Sequence, residues 1–191
     1  DEAEEIAWDI QRSETFTFIH AFSDPDIIAG QGTIALEILD ELADVGTIVV
    51  PIGGGGLIAG IAVAAKGLNS HLRVIGVQSV ASPAMYNSLQ AGVCVETPID
   101  ETIADGLAGR FVTELTLSLA QAYVDEVVLV SEAAIQEAMR FILATEHMIL
   151  EGSAAVGVAA LLESKFKSQG KVVIVLTGRN IHSKILKFLL T

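Results

Sequence analysis

Four consecutive glycines, Gly53 to Gly56, follow the apolar run Thr47 to Ile52 and precede the apolar segment Leu57 to Ala65. Without Cβ atoms, the backbone there can approach a ligand closely and visit positive φ. A run that joins a strand to a helix brings its N–H groups together at a helix N-terminus, where the macrodipole favours an anion. The chemistry to expect is a phosphate cradle. The plainer reading is a tight turn with close helix–sheet packing, for which one glycine would suffice. No Lys-Ser/Thr pair follows, so this is not a Walker loop. Gly54, Gly56 and Ala59 fit the dinucleotide spacing G-x-G-x-x-A, but Gln78 stands where such a site wants an acidic residue for the ribose. A small monophosphate therefore suits the loop better, and a dinucleotide-binding oxidoreductase is the weaker alternative.

A second loop of this kind follows Val172 to Leu176: Thr177-Gly178-Arg179-Asn180. A hydroxyl at the end of a buried strand can exchange a hydrogen bond with a neutral ring nitrogen, or can simply cap the last helix. The remaining polar residues carry less. His20, His71, His147 and His182 are scattered, with no H-E-x-x-H pattern. Asp100 and Glu101 form a loop pair expected at the surface, and Glu37, Asp40 and Glu41 a solvated helix face. Cys94 is expected to be a small buried hydrophobe. As the one cysteine, it permits neither an internal disulfide nor a cysteine-based zinc site.

The elements that must position these loops follow from periodicity. The spacing predicts strands at Thr15–His20, Thr47–Ile52, Arg73–Val77, Glu126–Val130 and Lys171–Leu176. Helices are expected at Glu5–Glu14, Thr33–Leu42, Leu57–Ala65, Ser82–Leu89, Phe111–Ala122, Ser131 to about His147, Gly152–Lys167 and Ile181–Leu190. Ser131 is a candidate cap, with Glu132 favourable in the first turn behind it. Asp24-Pro25-Asp26 reads as a turn and Glu96–Arg110 as a loop. Short apolar strands alternating with helices give an α/β class, with an open, mostly parallel twisted sheet and helices on both faces. Ligands then bind beyond the carboxyl ends of the strands.

Over 191 residues, 51% are apolar and 18% charged, with 11 Lys+Arg against 24 Asp+Glu and a net charge of −13. Disorder is excluded by the apolar content. Nucleic acid and anionic membranes are poor partners for so acidic a chain. No apolar stretch is long enough to span a bilayer, and Asp1 to Glu5 cannot open a signal peptide. A reducing, cytoplasmic setting is expected.

Five segments occur in order: Ala29-Gly30-Gln31-Gly32-Thr33, Val50 to Gly60, Thr102-Ile103-Ala104-Asp105-Gly106, Glu151-Gly152-Ser153-Ala154, and Val175 to Asn180. Together they closely resemble the serine/threonine dehydratase family, the fold-type-II pyridoxal-phosphate (PLP) enzymes that include serine racemase. The resemblance implies the large-domain part of the tryptophan synthase β-like fold. It implies that Gly53, Gly54, Gly55, Gly56 and Leu57 bind the PLP phosphate through backbone N–H groups. Thr177 would meet the pyridine nitrogen, Asp105 and Gly106 would lie on the substrate side, and Glu151 would sit near the active site. A neutral partner for that nitrogen suits β-elimination. The implied activity is deamination of L-threonine or L-serine, a small amino-acid substrate, to a 2-oxo acid and ammonia.

Three departures from the family pattern shape the expectation. The family's Schiff-base lysine, in a Ser-Phe-Lys-type motif, is not here; Lys66, Lys165, Lys167, Lys171, Lys184 and Lys187 all read as solvated surface. Residues 1–191 are thus expected to form a single cofactor-binding domain, the C-terminal part of a longer enzyme without its small domain. Such a chain should be inactive alone and should self-associate as a homo-oligomer through the apolar face that is left uncovered. A truncated, non-catalytic anion- or partner-binding module is a further alternative. Arg179 replaces the second Gly of the usual Ser-Gly-Gly. Gln78 to Ala84 holds no carboxylate, so no divalent-metal site of the serine racemase kind is expected.

Overall fold

The computed structural model describes residues 2–189; Asp1, and Leu190 and Thr191 beyond the last helix, lie outside the described residues. In chain order the elements are α1 (Glu2–Ser13), α2 (Pro25–Glu41), β1 (Val45–Pro51), α3 (Gly56–Leu68), β2 (Arg73–Ser79), α4 (Ala84–Ala91), α5 (Glu114–Tyr123), β3 (Glu126–Val130), α6 (Glu132–Glu146), α7 (Gly152–Leu162), β4 (Lys171–Ile174) and α8 (Ser183–Leu189). A single 3-10 turn at Asp105–Leu107 interrupts the long loop after α4.

The four strands form one parallel sheet in the order β3-β2-β1-β4. Both faces are covered, which explains the continuous apolar runs. The two-residue period still sorts the side chains. Ile48 and Val50 of β1, with Ile52 just beyond it, join one core with residues of α2, α3 and α5, while Val49 joins the other with α6 and α7. Val74 of β2 falls on the first side, and Ile75 and Val77 fall on the second. Gly152 to Ala160 of α7 are all buried, so this small-residue helix is apolar all round because it is enclosed.

The sheet builds outward from β1 to β2 and β3, then returns to place β4 on β1's other side. That reversal is a topological switch point, where the loops after β1 and β4 leave the sheet side by side. Val49 pairs with Ile174, so the glycine run and Thr177 emerge at nearly the same height.

Two expected elements differ. Thr15–His20 is not a strand; among the described residues it pairs with none of the four strands. Its alternation is real, but it serves ring packing against α1 rather than a ladder: Trp8 meets Phe18 edge-on at 4.7 Å between centroids. The expected turn at Asp24–Asp26 is instead the start of α2, eight residues before Thr33. Asp24 caps it by accepting the N–H groups of Asp26 (2.8 Å) and Ile27 (3.3 Å), with Pro25 in the first turn. Gly32 lies inside this helix because α2 and α3 cross closely there; an added Cβ would stand 3.1 Å from the Gly60 carbonyl oxygen.

Smaller boundary shifts have local causes. Helix α5 begins at Glu114 because Thr113 and Thr116 form a capping box. Helix α7 stops at Leu162, short of Lys167. Ser164 takes φ 53°, Ser164 N–H donates to Leu161 O (3.0 Å) and Lys165 N–H to Ala160 O (2.9 Å), which is a Schellman closure. Ser131 caps α6 as expected, accepting from Ala134 N–H (3.2 Å).

Candidate functional site

Strand β1 ends at Pro51 and α3 begins at Gly56, so the glycines form nearly the whole connection. Gly55 takes φ 98° as the N-cap of α3. The N–H groups of Gly53 to Leu57 have no acceptor among the described residues; the first α3 amide bonded back into the loop is Ala59, to Gly55 O at 3.0 Å. Five donors thus converge on a helix N-terminus with nothing to receive them.

The absent Cβ atoms answer more than one need. A Cβ on Gly54 would overlap the Phe22 ring, and one on Gly56 would stand 2.5 Å from the Phe22 carbonyl oxygen. On Gly55 it would meet Met85 Cε at 2.6 Å and Thr116 Cβ at 3.0 Å. Only Gly53 has ordinary room, with Leu107 Cα at 3.4 Å. Close packing therefore requires three of the four glycines, where the plainer sequence reading allowed for one. The loop is nevertheless open on its other side. A cavity of about 270 Å³ is lined by Gly53 to Leu57, Phe22, Gly106, Leu107 and Thr177. The two loops singled out in the sequence thus share one cavity.

Behind two of the segments that line this cavity, those of Gly106 and Thr177, lies Glu151. This residue precedes α7, and its carboxylate does not cap that helix. Its Oε2 accepts Asn180 N–H (3.0 Å), and its own N–H donates to Gly178 O (3.2 Å). A Cβ on Gly178 would overlap the Glu151 carboxylate, and one on Gly106 would lie 3.8 Å from Glu151 Oε1. Glu151 therefore anchors the Thr177–Asn180 loop, and its carboxylate stands beside the Asp105–Gly106 turn. Asp105 and Gly106 are exposed, as are Thr177 and Arg179. Ser153 faces the same turn: its Oγ is buried without a hydrogen-bond partner among the described residues and would lie 2.8 Å from a Cβ on Gly106.

Two contributors are not legible as site residues in the sequence. Phe22 belongs to a period-two series, Phe16, Phe18, His20 and Phe22, which is the one signal that could have found it. Glu132 reads only as a favourable first-turn acid, yet its carboxylate clamps the turn: Oε1 accepts from Ser79 Oγ (2.5 Å) and Thr102 Oγ1 (2.7 Å), and Oε2 from Ile103 N–H (2.8 Å). Nothing local in sequence announces bonds across 29 to 53 positions.

Other side chains lie elsewhere. None of the six lysines is among the residues lining this cavity; Lys66 pairs with Asp125 (2.8 Å), Lys165 with Glu163 (3.4 Å) and Lys171 with Asp44 (2.9 Å). Gln78 is buried, its Oε1 accepting Tyr86 N–H (2.9 Å), so it does not present itself to a ribose. Among the described residues no three His, Cys, Asp or Glu gather as a metal site. Cys94 is exposed rather than buried, because the chain around it is loop. Its thiol is held above the usual value by partial desolvation first and by the Glu114 carboxylate second.

An open parallel sheet with an amide-lined loop and a facing hydroxyl at its switch point defines an α/β protein suited to a phosphate ester carrying a ring. A family model described as pyridoxal-phosphate dependent enzyme matches residues 1–178. The chain belongs to that family. It is 46% identical over 181 residues to the L-threonine ammonia-lyase of Thermotoga maritima, covering 95% of this chain and 45% of that protein. It is 42% identical over 176 residues to the catabolic L-threonine dehydratase of Escherichia coli K12, covering 91% of this chain and 54% of that one. The chain thus spans about half the length of these curated relatives. Among solved structures, maize serine racemase superposes with a TM-score of 0.89 at 34% identity, over 98% of this chain and 58% of that one. A processed threonine deaminase isoform of Solanum lycopersicum gives 0.89 at 33%, over 95% and 54%.

Proposed function

We propose that this chain is the cofactor-holding part of a PLP-dependent ammonia-lyase that deaminates L-threonine or L-serine to a 2-oxo acid and ammonia. The observation that carries the reading is the unpaired row of amides at Gly53 to Leu57, sharing its cavity with Thr177. Bound PLP supplies an electron-withdrawing ring that acidifies the α-carbon of an attached amino acid. The chain's own residues bind and orient. The amides and the α3 dipole would hold its phosphate. The Thr177 hydroxyl would serve as a neutral hydrogen-bond partner for its ring nitrogen. Asp105 and Gly106 wall the substrate side, and Glu151 fixes the Thr177 loop beside that turn. Residues 1–191 act as one cofactor-binding domain.

No lysine lines the cavity, and the chemistry PLP would supply needs a side-chain amine. The chain alone therefore binds and does not turn over. No described helix is long and apolar enough to cross a membrane, and a cytoplasmic setting fits the single cysteine. Self-association is proposed through the apolar groove of about 450 Å³ between α2, α3 and α5, lined by Ile28, Val63, Leu115 and Leu119.

The test is titration of the chain with PLP, followed by cofactor fluorescence, with inorganic phosphate as competitor, beside an ammonia assay on threonine. Saturable binding reversed by phosphate, without ammonia, is expected. NADH displacing PLP would favour the dinucleotide alternative. Phosphate binding without PLP would favour a bare anion module.

A further inference from the structure

His20 stands at the end of the extended segment Thr15–His20, between α1 and α2. Its Nδ1 accepts two backbone N–H groups, from Phe22 (3.2 Å) and Ser23 (3.0 Å). An imidazole nitrogen that receives two donors must carry its lone pair, so the ring proton lies on Nε2, which faces Glu4 Oε1 at 3.2 Å. The arrangement is an Asx-type turn made by histidine: Nδ1 stands one bond beyond Cγ, where Asn and Asp carry Oδ1.

That turn sets Phe22. The Phe22 ring meets the His20 ring edge-on (4.5 Å, 85°), His20 meets Phe18 (6.0 Å), and Phe18 meets Trp8 (4.7 Å). At the far end of this file, Phe22 fills the Cβ spaces of Gly54 and Gly56. Phe22 also borders three cavities. One holds the glycine loop and Thr177, a second of about 430 Å³ runs along Ile34, Gly56 and Leu176, and a third of about 480 Å³ reaches Glu4 and Arg110. A shift of this one ring would merge spaces that it now divides. Ser23 Oγ is anchored to Thr113 Oγ1 (2.7 Å), which fixes the turn's other side.

We infer that His20 is a positioning residue for the cradle: its unprotonated Nδ1 holds the 20–23 turn, and the turn seats Phe22 against Gly54 and Gly56. This rests on the glycine loop being the phosphate site, so the experiment separates the two claims. Trp8 is the chain's one tryptophan, and its emission reports the ring file with no ligand present. The full chain is compared with His20→Ala, His20→Gln and His20→Asn, folding being checked by circular dichroism. Asn restores an acceptor at the Nδ1 position, whereas Gln carries it one bond too far. Ala and Gln should red-shift Trp8 emission and weaken PLP and inorganic phosphate by about fivefold or more, the equilibrium value of a lost hydrogen bond. Asn should restore both to within about twofold. If Ala does not fold, Gln against Asn decides. The inference is overturned if Asn is as impaired as Gln, or if Gln matches the parent chain in emission and affinity. Should the parent chain bind neither PLP nor phosphate, the cofactor reading fails, and the ligand-free emission series still decides the role of His20.

Discussion

At the scale of single residues, the four glycines separate into packing and binding roles. Gly55→Ala imposes an αL strain and a clash with Met85 Cε; a stability loss of about 1–3 kcal/mol is expected in denaturant unfolding. Gly53 meets nothing nearer than Leu107 Cα at 3.4 Å. Gly53→Ala should therefore leave the unfolding free energy within about 0.5 kcal/mol while weakening PLP several-fold, because the new methyl narrows the cavity mouth. Thr177→Ser should keep the emission spectrum of bound PLP, and Thr177→Val, which keeps the shape and loses the donor, should shift it. An unchanged spectrum in the valine variant would place the ring nitrogen elsewhere. The sequence pointed to Gly53 through Leu57 and to Thr177, and the two loops do line one cavity. Phe22 escaped because its role depends on a ring meeting a loop far along the chain.

At the scale of elements, the Thr102–Leu107 segment has little regular structure of its own and is held by one carboxylate of α6. Removing that acceptor leaves a half-buried N–H and two hydroxyls to find new partners. Glu132→Ala should cost about 2–3 kcal/mol of stability, and the Ile103 and Ala104 amides should exchange earliest. If those amides kept their protection, the clamp would not be what holds the turn. The four strands of the sheet are readable to within about two residues because each carries a β-branched apolar run within a sheet covered on both faces. The segment Thr15–His20 shows the weakness of that reasoning: an alternating pattern reports an extended chain with one packed side, and a helix surface can supply that packing as well as a sheet. Helix α2 is expected only from Thr33, with a turn at Asp24–Asp26, whereas Asp24 caps a helix that starts at Pro25 and carries Gly32 into a close crossing with α3.

At the scale of the whole molecule, a net charge of −13 sets up a field that repels anions. It also makes a local anion site more demanding, since the field of the molecule opposes phosphate. PLP affinity should accordingly rise with added sodium chloride at low ionic strength, as screening weakens that repulsion, before chloride begins to compete. Sedimentation velocity should show a dimer or larger species, and Val63→Asp, in the α2–α3–α5 groove, should shift it toward monomer without altering PLP affinity. A monomer at all concentrations would remove the self-association proposal.

Local order was sufficient for the α/β class and for the strand–glycine–helix connection, because those depend on neighbours in sequence and on short periods; the family was legible only through the resemblance of five ordered segments. Tertiary structure alone decided which loops share a cavity, since the reversal of strand order that sets β4 beside β1 is a property of the sheet and of no single strand. It also decided that Phe22 lines that cavity, that Glu132 holds the segment leading into the Asp105–Gly106 turn, and that Gln78 turns inward. Each of these rests on hydrogen bonds or van der Waals contacts between residues distant in the chain, and no periodicity or composition encodes a contact of that kind.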